Sequence, residues 1–337
     1  MTEELPEDFD PALYLLHNKD VADAGIDPKW HYLTHGKAEG RPYRGNQLLA
    51  KQIAIELPLG YTPHPHRMKI AIICHLFYCN FIDHLLSRFA DFPEGTDIYI
   101  STDTEAKRDE IGRAFSSWRR GNVYVVITPN KGRDIAPKLI AFRDVYSKYD
   151  LVVHVHTKKS PHEGNLKNWG TFLHDNLMGS KEIIDGYIEC FRANPELGIA
   201  GPQHIEFIRN WVHWGPNYPA ARPLIRSMGL KLLESDAIDF ITGSMFWARP
   251  KALKPILDLD LSFDDFPAES GQVDGTLAHA IERLYLYVCE KAGYKWVKVA
   301  TPGNFTSLTN VIKIGSDDEL VSFIRGEPLW VGMAYNK

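Results

Sequence analysis

Four short apolar, β-branched segments alternate with helix-patterned stretches, and this alternation limits the chain more than any other feature. The apolar runs fall at residues 69–76, 97–102, 123–128 and 151–155, each of strand length. Between them, residues 80–89 carry Phe81, Leu85 and Leu86 on one helical face, and residues 105–118 and 137–146 read as helices as well. Strands separated by helices cannot close as tight hairpins. They pair in parallel through crossovers, so the expected fold class is α/β, a mostly parallel central sheet flanked by helices. In such a sheet, ligands bind beyond the carboxyl ends of the strands.

The fourth strand supplies polar and cationic groups at that edge. Leu151, Val152, Val153, His154 and Val155 run into His156, Thr157, Lys158, Lys159, Ser160, Pro161 and His162. Just upstream, Asn130, Lys131, Gly132, Arg133 and Asp134 read as a turn before a helix. Clustered cations at a strand edge suit an anionic ligand such as a phosphate or diphosphate.

The flanking sequence divides the chain into an expected N-terminal helical module at 1–56, a linker at 57–67 and a main domain at 68–337. Asp10-Pro11 and Asp27-Pro28 are two helix-start signals, and Gly25 and Gly36 are the corresponding stops. Tyr14, Trp30 and Tyr32 are expected to pack these helices together, and His31 and His35 are spaced as surface or core-edge histidines, a spacing a metal also accepts. Three prolines and a glycine keep 57–67 from forming a helix or an inner strand. Beyond 155 the pattern gives helices at 169–178 and 181–191, a short strand at 198–201 and an irregular stretch at 203–235. A strand at 240–248, a helix at 274–289 and a late strand at 294–299 follow.

Charge narrows the partners. The net charge of -5 and pI of about 6.3 argue against a general nucleic-acid binder. Cys74, Cys79, Cys190 and Cys289 form no C-x-x-C pair and read as reduced thiols. The acidic first ten residues lack a signal-peptide pattern, and no apolar run is long enough to span a bilayer. The expected location is cytoplasmic, with room for peripheral association with the cytoplasmic membrane.

The blocks at 130–137 and 156–162 resemble the signature of the rhamnan synthesis protein F family. So do 243–250 (Gly243 through Pro250) and 269–276 (Glu269 through Thr276), followed by His279, Glu282 and Arg283. The resemblance covers roughly 68–300, in order. It implies a glycosyltransferase of bacterial surface-polysaccharide assembly, as for O-antigen or lipopolysaccharide, with a GT-A-like nucleotide-sugar domain. It implies a nucleotide-sugar donor, with rhamnose suggested by the family name, a polysaccharide or lipid-linked glycan acceptor, and other assembly enzymes as partners.

Glycosyl transfer of this kind must stabilise a departing nucleoside diphosphate and an oxocarbenium-like sugar. With inversion it also needs a base for the acceptor hydroxyl. Many GT-A enzymes hold a metal with Asp-x-Asp after the fourth strand, but His154-Val155-His156 stands there, and Asp258-Leu259-Asp260 is poorly placed. His156, Lys158 and Lys159, with Arg133 nearby, are therefore the expected diphosphate site, and no cofactor is required. The competing readings are a divalent ion on His154 and His156, and a solvated turn at Lys158 and Lys159.

Asp134 is either a helix cap or a contact to the nucleotide, and His75 is either a nucleotide contact or a buried, satisfied histidine. Asp274 is the expected base unless it caps the 274–289 helix, with Glu269 next in line. His279 and Arg283 share its face and suit leaving group or acceptor, while Glu282 reads as a surface ion pair. Gly243, between Thr242 and Ser244, permits close approach of a sugar. Met245, Phe246 and Trp247 mix core and stacking roles, and Trp211 and Trp214 either stack on acceptor sugars or pack locally. A carbohydrate-binding protein without catalysis is the alternative. A hydrolase would need a water-activating cluster that the sequence does not present.

Overall fold

A computed structural model of the chain describes residues 53–157, 169–234, 238–272, 274–303 and 309–326, positions 236 and 305, and in the N-terminal part 5, 6, 9, 11, 14, 15, 18–39, 41 and 43. Nine strands form one sheet: β1 Ile53–Glu56, β2 Ile70–His75, β3 Asp97–Thr102, β4 Val123–Ile127, β5 Leu151–His156, β6 Leu197–Pro202, β7 Phe246–Ala248, β8 Lys295–Ala300 and β9 Asn310–Ile312. Their order is β4-β3-β2-β5-β7-β6-β8-β1-β9. Every neighbouring pair is parallel except those made by β7, which runs antiparallel to β5 and β6. The chain is thus α/β with a mostly parallel mixed sheet.

Side-chain alternation splits β5 between two apolar layers. Val152 joins Ala71, Ile73, Ile135, Leu139, Phe246, Ile281 and Tyr285 on one face. Leu151, Val153 and Val155 join Ile72, Leu85, Phe89, Leu177, Tyr187 and Trp247 on the other. Burying each aliphatic side chain contributes about 1.5–3 kcal/mol, so a strand apolar on both faces is held from both sides. Trp247 lies between Phe92 and Tyr187, with ring centroids 5.4 Å from each. Met245, Phe246 and Trp247 are therefore core, with no share in a stacking platform.

Several expected elements change. Ile53–Glu56, placed by sequence in the N-terminal module, is β1 and pairs with β8 and β9 inside the main sheet. The helix expected at 137–146 is a π-helical turn, Pro137–Ala141, followed by the 3-10 turn Arg143–Lys148. The strand expected over 240–248 narrows to β7, because Gly243 and Ser244 hold positive φ (89° and 55°) and break the extended backbone. The 274–289 helix becomes Leu277–Glu282 and Tyr285–Lys291. Part of the stretch read as irregular forms the helix Tyr218–Ser227.

In the N-terminal part, helices Lys19–Asp23 and Pro28–His31 lead into a π-helical turn, Tyr32–Gly36. Asp27 caps the second helix by accepting from the Trp30 N–H at 2.8 Å, as the sequence signal requires. The Asp10-Pro11 signal lies largely outside the described residues. Tyr14 and Tyr32 pack edge to face, but Trp30 is exposed rather than part of that packing. The Tyr14 hydroxyl meets His31 Nδ1 at 2.7 Å.

Candidate active site at the strand-order reversal

From β2 the chain steps to β3 and then β4 in one direction, and β5 returns to the other side of β2. The strand order reverses there, which opens a crevice at the carboxyl ends. His75 at the end of β2 is in register with Ser101 on one side and His156 on the other. Antiparallel β7 brings its entry loop to the same edge, since Phe246 pairs with His154.

The 130–134 turn reaches this edge through two left-handed residues, Gly132 (φ 66°) and Arg133 (φ 54°). A Cβ on Gly132 would lie 2.5 Å from Ala136 Cβ and 2.5 Å from Phe266 Cδ1, so only glycine fits. Asp134 directly precedes the helical residues Ile135 and Ala136, but among the described contacts no backbone N–H donates to its carboxylate as a cap would require. Its carboxylate instead accepts from Lys138 Nζ at 2.8 Å and lies 3.9 Å from His156 Nε2. Burial alone would raise the Asp134 pKa, but His156 and Lys138 outweigh it and hold the carboxyl well below its usual range. Burial works against the Lys138 ammonium, and Asp134 works for it. We read the pair as charged because the contact is short and Lys138 also donates to the Ser244 carbonyl at 3.0 Å.

His156 is engaged by the backbone. Its Nε2 lies 2.7 Å from the Gly243 carbonyl and its Nδ1 3.2 Å from the Thr157 carbonyl. Two carbonyl acceptors are satisfied together only when both ring nitrogens carry protons, and Asp134 stands beside them as counter-charge. Gly243 in turn donates its N–H to Glu282 Oε1 at 2.6 Å. A Cβ at Gly243 would lie 2.5 Å from Leu173 Cδ1.

Arg133, Asp134, His156, Gly243, Ser244, His279 and Glu282 line one small open cleft. Five of the expected site residues meet here: Arg133, Asp134, His156, Gly243 and His279. His75 is the neighbour of His156 across the β2–β5 pair. Its Nδ1 lies 2.9 Å from Ser101 Oγ, and burial pushes the imidazole down to about 4.

Asp274, Glu269 and Arg283 do not line the cleft. Asp274 Oδ2 pairs with Arg283 Nη2 at 3.3 Å, and Arg283 also donates to the carbonyls of His213 (2.9 Å) and His279 (3.0 Å). Nor is Asp274 the helix cap: Thr276 takes that position. Glu269 lies 3.7 Å from Arg133 Nε, and Arg133 donates to the Gln272 carbonyl. Lys158 and Lys159 lie outside the described residues.

Sequence reasoning missed Lys138 and Glu282. The i,i+4 spacing of Asp134 and Lys138 was an available signal. Glu282 is no surface ion pair: it lines the cleft and holds the Gly243 loop. The paired-histidine metal reading fails at His154, whose Nε2 meets the Tyr146 hydroxyl at 2.8 Å inside the core. Among the described residues, His64, Glu189 and Asp317 form the group with ligand spacing, and Arg192 already bridges Glu189 and Asp317. The Asp258 and Asp260 carboxylates pair with Lys254 and Arg143. Trp214 is 2% exposed and stacks on Tyr287, so it packs locally, whereas Trp211 is 62% exposed.

The family model for rhamnan synthesis protein F matches residues 34–294, a span that includes every residue lining the cleft. The chain belongs to the rhamnan synthesis protein F family. Within curated sequences, it is 33% identical over 227 residues to "uncharacterized protein WxcX" from two strains of Xanthomonas campestris pv. campestris. The alignment covers 66% of this chain and 32% of each relative, so the chain spans about a third of the length of these relatives. No helix among the described residues is long and apolar enough to cross a membrane.

Proposed function

We propose that the chain is a nucleotide-sugar-dependent glycosyltransferase of surface-polysaccharide synthesis, with a GT-A-like catalytic domain. Family membership supports the polysaccharide role. The observation that carries the enzymatic reading is convergence: turn 130–134, the end of β5, the Gly243 loop and helix Leu277–Glu282 meet at the strand-order reversal. In this reading the diphosphate sits at the rim against Arg133, and Lys158 and Lys159 are further proposed ligands for it. His156 stiffens the floor by holding Gly243. Cationic side chains neutralise the leaving group, with no metal required.

The acceptor approaches from the side of Asp274, and exposed Trp211 is a ring face available to a sugar. Asp274 remains the proposed base, with Glu269 as the alternative, and the course is inverting. The acceptor is a growing polysaccharide or lipid-linked glycan. The proposed location is cytoplasmic, at the membrane surface with other assembly enzymes.

The test is release of nucleotide from a panel of UDP-, GDP- and dTDP-sugars in the presence of a glycan acceptor, with and without EDTA. Turnover that survives EDTA is expected. Saturable sugar binding with no turnover on any donor would replace this reading with a non-catalytic carbohydrate-binding one.

A further inference from the structure

His279 is 7% exposed and lines the cleft, yet its Nε2 has no hydrogen-bond partner among the described residues. The opposite ring nitrogen is fully engaged. Thr276 and His279 form a capping box at the start of helix Leu277–Glu282: the Thr276 hydroxyl accepts from the His279 backbone N–H, and the His279 ring accepts from the Thr276 backbone N–H. Nδ1 lies 3.4 Å from that backbone nitrogen and 2.8 Å from Thr276 Oγ1. A ring nitrogen that accepts from a backbone N–H carries no proton, so the neutral ring bears its proton on Nε2. Burial, with Arg133 as the next cause, disfavours the doubly protonated form. Nε2–H is therefore a buried donor whose acceptor the described residues do not supply. Leaving such a donor unmade costs about 1–3 kcal/mol, which a ligand oxygen would recover.

The rest of the lining says which oxygen. Two carboxylates, Asp134 and Glu282, share the cleft with the single guanidinium of Arg133. The Lys138 ammonium is spent on Asp134 and the Ser244 carbonyl. A pyrophosphate placed on this floor would meet two carboxylates, while the His156 ring is already spent on the Gly243 and Thr157 carbonyls. A sugar ring would find carboxylate acceptors for its hydroxyl protons and one N–H donor for a hydroxyl oxygen. We infer that the cleft floor is a subsite for a neutral sugar ring, with Thr276 locking His279 as an Nε2–H donor to one sugar hydroxyl and Asp134 and Glu282 accepting from others. This rests on the glycosyltransferase reading for the identity of the sugar as donor glycosyl group. It adds that sugar and diphosphate occupy separate parts of the site.

The experiment uses the full chain and ¹⁵N-histidine NMR. The His279 signal, assigned from the His279→Gln spectrum, should show a pyridine-like Nδ1 and a protonated Nε2. Titration with L-rhamnose, D-glucose, D-galactose and N-acetyl-D-glucosamine should shift Nε2 for at least one sugar, whereas inorganic pyrophosphate should not. His279→Leu should weaken that sugar about 10-fold, the loss of one buried hydrogen bond, and His279→Gln, which keeps a side-chain N–H, should restore most of it. Thr276→Val, which keeps only the 3.4 Å backbone contact, should weaken the tautomer lock, and Thr276→Ser, which also keeps the 2.8 Å hydroxyl contact, should preserve it.

A protonated Nδ1 in the wild type, a wild-type Nε2 that no monosaccharide shifts, or equal sugar affinity in His279→Leu would each overturn the inference. Nucleotide turnover is read separately. Sugar binding at His279 without turnover defeats the glycosyltransferase reading alone, and turnover with an unchanged KM in His279→Leu defeats the subsite alone.

Discussion

Replacing Lys138 with Met tests whether the floor of the cleft is held by charge. The Lys138 and Asp134 side chains are 5% and 14% exposed and 2.8 Å apart. Met fills similar volume but leaves Asp134 with the more distant His156, and leaves the Ser244 carbonyl without its ammonium donor. Breaking one side of a buried pair costs about 3–5 kcal/mol, so Lys138→Met should lose that much in urea denaturation at pH 7.

The pH dependence gives the sign. In the wild type the folded Asp134 pKa is depressed, so its stabilising contribution is present above the unfolded value of about 3.9 and is lost as pH falls through the lower folded value. Without Lys138, His156 is left as the main charge against burial, so the carboxyl should rise from its depressed value and the penalty should shrink as pH falls and Asp134 takes a proton. Asp134→Asn in the Lys138→Met background should recover part of the loss at pH 7. A loss below about 1 kcal/mol at pH 7, or one that does not change with pH, would refute the charged-pair account.

Gly243→Ala should cost about 1–3 kcal/mol from backbone strain at φ 89°, and more from the Leu173 contact, measured by thermal unfolding; a neutral result would mean that the loop is looser than described. Asp274→Asn should abolish transfer in the nucleotide-release assay while sparing donor binding. Near-full transfer in that variant, with loss in Glu269→Gln, would move the base to Glu269. Glu189, held down to about 2 by Arg192 and His64 against its own burial, should contribute stability above pH of about 4.3 that is lost as pH falls toward 2. Acid titration of Arg192→Met should show a shallower loss over that range.

The alternation of apolar runs and helical stretches was enough to read a parallel β2–β5 sheet, because strand length and β-branching are local properties. The positions that meet at its edge were also legible. Arg133, Asp134 and His156 follow strand ends in the sequence, and the carboxyl edge of a parallel sheet is where such residues collect. Elements whose form depends on distant partners were not legible in the same way. Ile53–Glu56 looks like the tail of a helical module until β8 and β9 offer it edges to pair with. The residues around Gly243 and Trp247 alternate like a longer strand, but positive φ and full burial divide them into a loop and a core strand.

The sequence alone therefore determined the layered α/β plan and the set of polar residues available at one end of it. Tertiary structure decided their roles. Antiparallel β7 carries Gly243 onto His156, Glu282 reaches back 39 positions to hold the same loop, and the capping box at Thr276 leaves one proton of His279 without a partner among the described residues. Hydrogen-bond direction is a property of atoms brought together by sheet register and helix placement, and residue spacing along the chain does not encode it.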